Sequence, residues 1–371
     1  MPTIAERILK PTDPSIFRTA FLYVGQGDST LHIIPDGNGT FMYVLVDINA
    51  DRARGGIDVV RLLEELLPKV DGKPTLDVFI NTHPHNDHIC GLDRLRERIR
   101  VKEVWHTGFT PGKKHEESYG QLRALIDDVV AREGRDAEFE YQGTRAKKEL
   151  GLVCVEIISP AKHVKEEIDA LTGEERDARI HEYCGVFRLG YGAHPKHVLM
   201  TGDSDKAAWQ EHILGPDEYH GERISAAALS ASHHGSRTFF KTSEDDPEPY
   251  LRHMEIITPR WVIISSPTQA ESPHDHPHDD ALELYREHIL DGRAENVLTL
   301  GERKDCRIYD IYDSGEHVMD SDNGELVDAY GFDDDDSGKG QEGRWKNTSA
   351  AVITRVDSGH PMGACATRAS A

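Results

Sequence analysis

Apolar positions along this chain come in short runs separated by polar turns. Residues 17–47 read as three strands: "FRTAFLYV", then "STLHII" after the turn "GQGD", then "FMYVLVD" after the turn "PDGNG". The two glycines of "GQGD" permit positive φ. Residues 57–67 carry apolar side chains at helical spacing, and residues 75–80 form a short apolar strand. A helix in "GLDRLRERIR", a strand in "VKEVWHTG", a helix over 121–133 and a strand over 152–159 follow. The second half repeats the style. "CGVFRLGYG" and "KHVLMTGD" are paired strands, 206–214 is a helix, "ISAAALSAS" leads into His233-His234, and 261–265 is a strand. A helix over 281–290 and the strands "NVLTL" and "CRIYDIY" complete the pattern. Strands that end in polar loops recur throughout. This predicts a layered α/β architecture with a site built from loops at one rim.

From about residue 319 the character changes to the acidic, Gly-rich "MDSDNGELVDAYGFDDDDSGKGQEG". The expected organisation is a main domain over 1–318 and an extension over 319–371, partly disordered, in which "SAAVITRV" can form one more strand. The aspartates at 333–336 read as a solvated run, because the ligand spacing and glycine of an EF-hand loop are missing.

Composition narrows the class. The 371 residues suffice for one large α/β domain or two modest ones, and 37% hydrophobic with 29% charged residues fits a globular protein. No apolar run approaches bilayer length, and the N-terminus lacks the basic start and apolar core of a secretory signal. Five scattered cysteines without zinc or redox spacing point to a reducing cytoplasm. A net charge of −23 argues against a broad nucleic-acid-binding face. Bound divalent cations would reverse the sign of the field locally.

Two of the histidine clusters look alike: "NTHPHNDHICG" at 81–91 and "SPHDHPHDD" at 272–280. In the first, His83 and His85 lie at i and i+2 after a strand and can grip one cation from the same side. Asp87 and His88 then face a second position nearby. Imidazole with carboxylate suits Zn²⁺, Mn²⁺ or Fe, and carboxylate-rich sites shift towards Mn²⁺. In the second cluster a proline follows His276 directly and a helix starts at about Asp280, so it reads as a rigid strand-to-helix loop.

These residues carry a resemblance. "THPHNDHICGL" resembles the HxHxDH signature of the metallo-β-lactamase-fold hydrolases. "YVGQGDSTLH", "VLMTGDSD", "LSASHHGSRT" and "HPHDDALELY" resemble, in order, the DVGQGDS, LLTGD, HHGS and GHP elements of the ComEC competence-family hydrolase domain. The resemblance implies a four-layer αβ/βα sandwich with two divalent metal ions, Zn or Mn, between the edges of two sheets. It makes His83, His85, Asp87, His88, Asp203 and His234 the metal ligands, with Asp203 bridging both ions. Asp47 would orient a ligand histidine. Similarity to phosphocholine esterases of the fold assigns His234 to metal and His233 to a substrate phosphate, with the reverse assignment open. Asp28 and Ser236 would support the ligands or contact substrate. His276 matches the GHP histidine and is expected to be a late metal ligand or a proton donor to substrate, with Asp87 and His233 the other catalytic candidates. His274 and His278 are expected to face solvent, with Asp279 or Asp280 near the helix N-terminus.

The sequence departs from the pattern at Tyr23, where the family has an acidic residue, and at Ile48-Asn49 in place of Thr-Gly. "SPHDHP" replaces Asn-x-Tyr-Gly before the His-Pro. The third-motif histidine has no obvious counterpart, and His181 in "RIHEYCGVF" reads as a loop histidine. The implied activity is metal-dependent hydrolysis of phosphodiesters, as a nuclease or small-nucleotide phosphodiesterase, through a hydroxide between the ions. The substrate would be a phosphate-containing small molecule or a single strand threaded into a narrow cleft. The membrane channel of the competence proteins has no counterpart here. Two other readings compete: a carboxylic ester, lactone or thioester hydrolase of the same fold, and a non-enzymatic metal-binding module. The basic segments "RERIRVK" and "PGKKH" read mainly as solvated faces.

Overall fold

The computed structural model describes residues 2–50, 55–143, 147–162, 164–312, 315–321 and 353–357. In the first half lie β1 (Phe17–Phe21), β2 (Thr30–Pro35), β3 (Phe41–Val46), β4 (Ile48–Asn49), β5 (Lys69–Val70), β6 (Lys73–Ile80), β7 (Arg100–His106) and β8 (Glu138–Glu140). Then come β9 (Lys147–Leu150), β10 (Val153–Ser159), β11 (Val186–Tyr191), β12 (Lys196–Met200), β13 (Ala228–Ser230), β14 (Trp261–Ile264) and β15 (Val297–Thr299). The last strands are β16 (Arg307–Tyr312), β17 (Gly315–Ser321) and β18 (Ile353–Asp357). One sheet runs β18-β17-β16-β1-β2-β3-β6-β7-β8, with β5 beside β6, and the other runs β15-β14-β13-β12-β11-β10-β9.

The helices are α1 (Ile4–Leu9), α2 (Val59–Leu66), α3 (Asn86–Ile89), α4 (Leu92–Arg98), α5 (Glu116–Glu133), α6 (Val164–Ala170), α7 (Gly173–Glu182), α8 (Arg252–Ile257) and α9 (Asp279–His288). The period of two along each strand sorts side chains into separate cores. On β3, Tyr43 and Leu45 join the cluster that α1, α2, α4 and α5 cover, whereas Val44 and Val46 join the cluster between the sheets. On β14, Trp261 and Ile263 face the inter-sheet core and Val262 and Ile264 face the cluster under α8 and α9. Three cores therefore separate four layers, αβ/βα. Strands buried on both faces need apolar residues at every position, which is why they read as unbroken apolar runs.

The predicted strands at 75–80, 152–159 and 261–265 correspond to β6, β10 and β14, and the helix at 57–67 to α2. The segment 206–214 is helical over 206–213, with a six-residue π-helical stretch at Ala208–Ile213. Helix α5 begins five residues before the expected 121. No helix was expected where α6 and α7 lie. Of the ten residues of α7 only Ile180 is buried, so the segment has no apolar stripe to reveal it. Strand β18 overlaps "SAAVITRV" and pairs antiparallel with β17, while residues 333–336 fall outside the described residues. Among the described residues, no helix is long and apolar enough to cross a membrane.

The pairs β3·β6, β6·β7, β12·β13 and β13·β14 are parallel. Parallel neighbours end at one edge, so the loops that follow these strands gather at a single rim.

Candidate metal centre

Each sheet brings its own part of the site to that rim. Strand β6 runs through Asn81 and Thr82 into the histidine motif, and the chain then winds into the single turn of α3. This places His83, His85 and His88 in one buried group. The "GQGD" turn packs against the motif: the Asp28 N–H donates to the Asp87 carbonyl at 3.2 Å. Gly27, at φ +138°, lies so close that a Cβ there would sit 2.4 Å from the Asp87 carbonyl oxygen. Asn49, one of the departures from the family pattern, donates to the Gln26 carbonyl and so joins β4 to this turn.

Asp47 follows β3 in the left-handed region at φ +54°. Its carboxylate accepts from Asn81 Nδ2 (3.0 Å), the Thr82 N–H (2.8 Å), the Thr82 hydroxyl and His88 Nδ1 (2.7 Å). The last bond fixes the imidazole so that its Nε2 faces the cluster. From the other sheet, Asp203 follows β12, and His233 and His234 follow β13 at φ +50° and +56°. Left-handed backbone at a residue other than glycine costs on the order of 1–3 kcal/mol, and such residues gather where geometry serves a site. Gly235 continues the turn at φ +78°, and a Cβ there would meet Pro277 at 2.7 Å, so this turn packs tightly on the His276-Pro277 loop. His234 Nδ1 donates to the Ser265 carbonyl at 3.1 Å, which leaves its Nε2 3.2 Å from Asp87 Oδ2.

The carboxylate of Asp203 lies between two groups of nitrogens. Its Oδ1 is 3.1 Å from His88 Nε2 and 3.8 Å from His234 Nε2. Its Oδ2 is 3.7 Å from His83 Nε2, 3.8 Å from His181 Nε2 and 3.6 Å from His233 Nε2. Four sets of donor atoms result, each within 4.8 Å: His83, His85 and His181; Asp28, His88, Asp203 and His234; His85, His115 and Asp177; and His181, Asp203 and His233.

Residues 56–207 match the family model of the metallo-beta-lactamase superfamily. With its two layered sheets, the chain has the metallo-β-lactamase fold. Solved structures similar to it include the metallo-beta-lactamase fold protein YhfI from Bacillus subtilis, 13% identical, covering 72% of this chain and 93% of that one, with a TM-score of 0.40. Zn(2+)-bound PqqB from Methylobacterium extorquens is 11% identical over 76% of this chain and 97% of that one, with a TM-score of 0.41. A new diphosphatase from the PhnP family is 13% identical over 74% and 94%, with a TM-score of 0.37. No curated protein shows a significant match to this chain.

The donor sets include one histidine that sequence reasoning set aside. His181 is in the last turn of α7, not in a loop, and its Nε2 is 2.8 Å from His85 Nδ1. No local pattern gave its polar helix a direction, so only the packing of α7 places it here. His278 is also corrected. It is half-buried at the N-cap of α9 and its Nδ1 accepts the Arg237 N–H at 3.0 Å, whereas His274 is exposed at the rim of the cavity. His276 is buried and lies 5.4 Å from the His233 ring, but it belongs to none of these donor sets. Ser236 caps the turn after it by accepting from the Thr238 N–H. The cations of "RERIRVK" pair on the outer face, Arg96 with Asp128, Arg100 with Glu133 and Lys102 with Asp77. Lys114 of "PGKKH" instead lines the cavity.

The residues fit bound metal cations. His83 Nε2, His88 Nε2 and Asp203 Oδ1 are buried without a hydrogen-bond partner among the described residues. A buried polar atom left unpaired costs on the order of 1–3 kcal/mol, so three together call for a shared partner. The protonation pattern agrees. Burial alone would raise Asp203 and lower His88, yet His88, His233, His234 and His83 hold Asp203 well below the usual carboxylate range. Asp203 and Asp47 likewise hold His88 well above the usual imidazole value. Burial also opposes the charge on His234, but Asp203, Asp28 and Asp87 push it up to about 9. Asp28 is pushed up to about 6 by burial. In this state protons supply the positive charge that the carboxylates require, and cations can take their place.

Proposed function

We propose that this chain is a hydrolase that acts on phosphodiester bonds with two divalent cations, Zn²⁺ or Mn²⁺. The observation that supports it is the division of Asp203, one oxygen towards His88 and His234 and the other towards His83 and His181. His83, His85 and His181 would hold one ion; Asp87, His88 and His234, with Asp28 adjacent, would hold the other. Such ions supply Lewis acidity towards a phosphoryl oxygen and make hydroxide available near neutral pH.

The remaining polar groups favour a phosphate ester. A cavity of about 570 Å³ opens over the donor sets, and Lys114, His233, Ser236, Thr238 and His276 line it. That volume suits a nucleotide-sized ligand. Burial, with His233 and His234 close by, pushes His276 down to about 2, so it stays neutral and would meet a phosphoryl oxygen as an N–H donor. Thr238 Oγ1 lies 3.1 Å from His233 Nδ1 and steadies that ring at the cavity wall. The charge of −23 makes a small nucleotide or a single strand a better substrate than a duplex. The ordered ComEC-like motifs support the same choice.

The test is hydrolysis by purified protein with Mn²⁺ or Zn²⁺, offered bis-p-nitrophenyl phosphate, single-stranded oligonucleotides and a thioester panel. Turnover of the phosphate esters that Asp87→Ala abolishes is expected. Turnover confined to thioesters would move the assignment to carbon esters. Equal signals from wild type and Asp87→Ala on every substrate would leave a metal-binding module.

A further inference from the structure

His85 differs from its neighbours in the motif because both edges of its ring face the same helix. Its Nδ1 is 2.8 Å from His181 Nε2, and its Nε2 is 3.7 Å from Asp177 Oδ1. Asp177 and His181 are four residues apart on α7, on one face of the helix. The Nε2 of His85 is buried and has no hydrogen-bond partner among the described residues. Asp177 is itself held in place: its Oδ1 accepts the Gly112 N–H at 2.7 Å. On the open side, His115 stacks on His85 with ring centroids 4.2 Å apart and planes 17° apart.

We propose that Asp177 is a positioning residue for His85: its carboxylate takes the Nε2–H, keeps the Nδ1 lone pair directed at the donor set of His83 and His181, and so makes α7 supply both a ligand and the carboxylate that orients another. The inference rests on the two-cation reading above. An imidazole binds metal only through an unprotonated nitrogen, and the partner of the other nitrogen decides which one that is. Asp47 performs the corresponding task for His88, so each ion would have its own orienting carboxylate, one from each side of the cavity.

The experiment titrates metal-free protein with Co²⁺, follows its visible absorption, and measures affinity by competition with a chelator. The variants are Asp177→Asn, which can still accept the Gly112 N–H, and Asp177→Ala. Wild type should bind two ions. Asp177→Asn should weaken one of them by about 10–100-fold, with a changed absorption band and the other ion unaffected. Asp177→Ala should be at least as weak. Wild-type affinity and spectrum in Asp177→Asn would overturn the proposal, whatever Asp177→Ala does, and would leave Asp177 as a tie to Gly112. A wild-type protein that binds no divalent ion would overturn the two-cation reading itself, which is visible before any variant is made.

Discussion

The two histidine-rich stretches, at 81–91 and 272–280, share composition and even the His-Pro-His step, yet fold to different ends. In the first, His83, His85 and His88 are all buried; His83 Nδ1 has Thr82 of the same stretch beside it, while His85 Nε2 and His88 Nδ1 meet carboxylates from outside it, Asp177 and Asp47. In the second only His276 is buried, while His274 is exposed and His278 serves the Arg237 backbone. The difference is in the supports. The first stretch follows the end of a central strand, where carboxylates from both sheets converge. The second lies in the long loop between β14 and α9, where the carboxylate of Asp280 is already engaged by Arg237 and Lys241. A histidine spacing becomes a metal site only where other elements bring acceptors to the far nitrogens.

The largest effect should come from the group that unites the first stretch with the second sheet. Asp203→Ala should lose both ions by elemental analysis and lower activity by several kcal/mol of barrier, about 10³-fold. Retention of both ions would break the comparison at its centre. On the proposed reading, in which His276 meets substrate and holds no metal, His276→Ala should lower turnover by about 10²-fold and keep both ions. Loss of an ion in that variant would make the second stretch a ligand source after all.

The next effect is on pH. In the metal-free fold His234 is raised from 6.5 to about 9. Its proton therefore stabilises that fold below pH 6.5, and the contribution is lost as pH rises through about 9. Ion binding must expel this proton, so affinity should rise about tenfold per pH unit below 9 for each proton displaced. Calorimetry at pH 7.5 in buffers of different ionisation enthalpy should detect the release, and an absence of release would contradict the charge balance described. His278→Ala should cost about 1 kcal/mol of stability through the lost Arg237 bond, measured by denaturant unfolding, with ion content unchanged. His274→Ala should change activity by less than about twofold. A large loss there would mean that the rim of the cavity contributes more than its exposure suggests.

Much of this was legible before any coordinates. Apolar runs located β6, β12, β13 and β14, and the spacing just beyond β6 pointed to His83, His85 and His88. Asp203, His234 and Asp47 came from the family resemblance, because a lone carboxylate at a strand end reads equally well as a turn residue. His181 and Asp177 could not be found so. They lie on a helix with one buried apolar residue, and a polar helix has no periodic signal to tell which face turns inward. The reading of His278 failed for a related reason, since its partner is a backbone N–H from a turn 41 residues away in the chain.

The sequence by itself determined the layers and the candidate donors, because burial on both faces of a strand and ligation of a cation each demand particular residue types at short range. Which nitrogen of each ring faces the centre, which helix completes the first donor set, and which of two similar histidine stretches becomes the site were decided only by the tertiary structure. Those outcomes depend on groups far apart in the chain that meet within a few ångströms when the two sheets close.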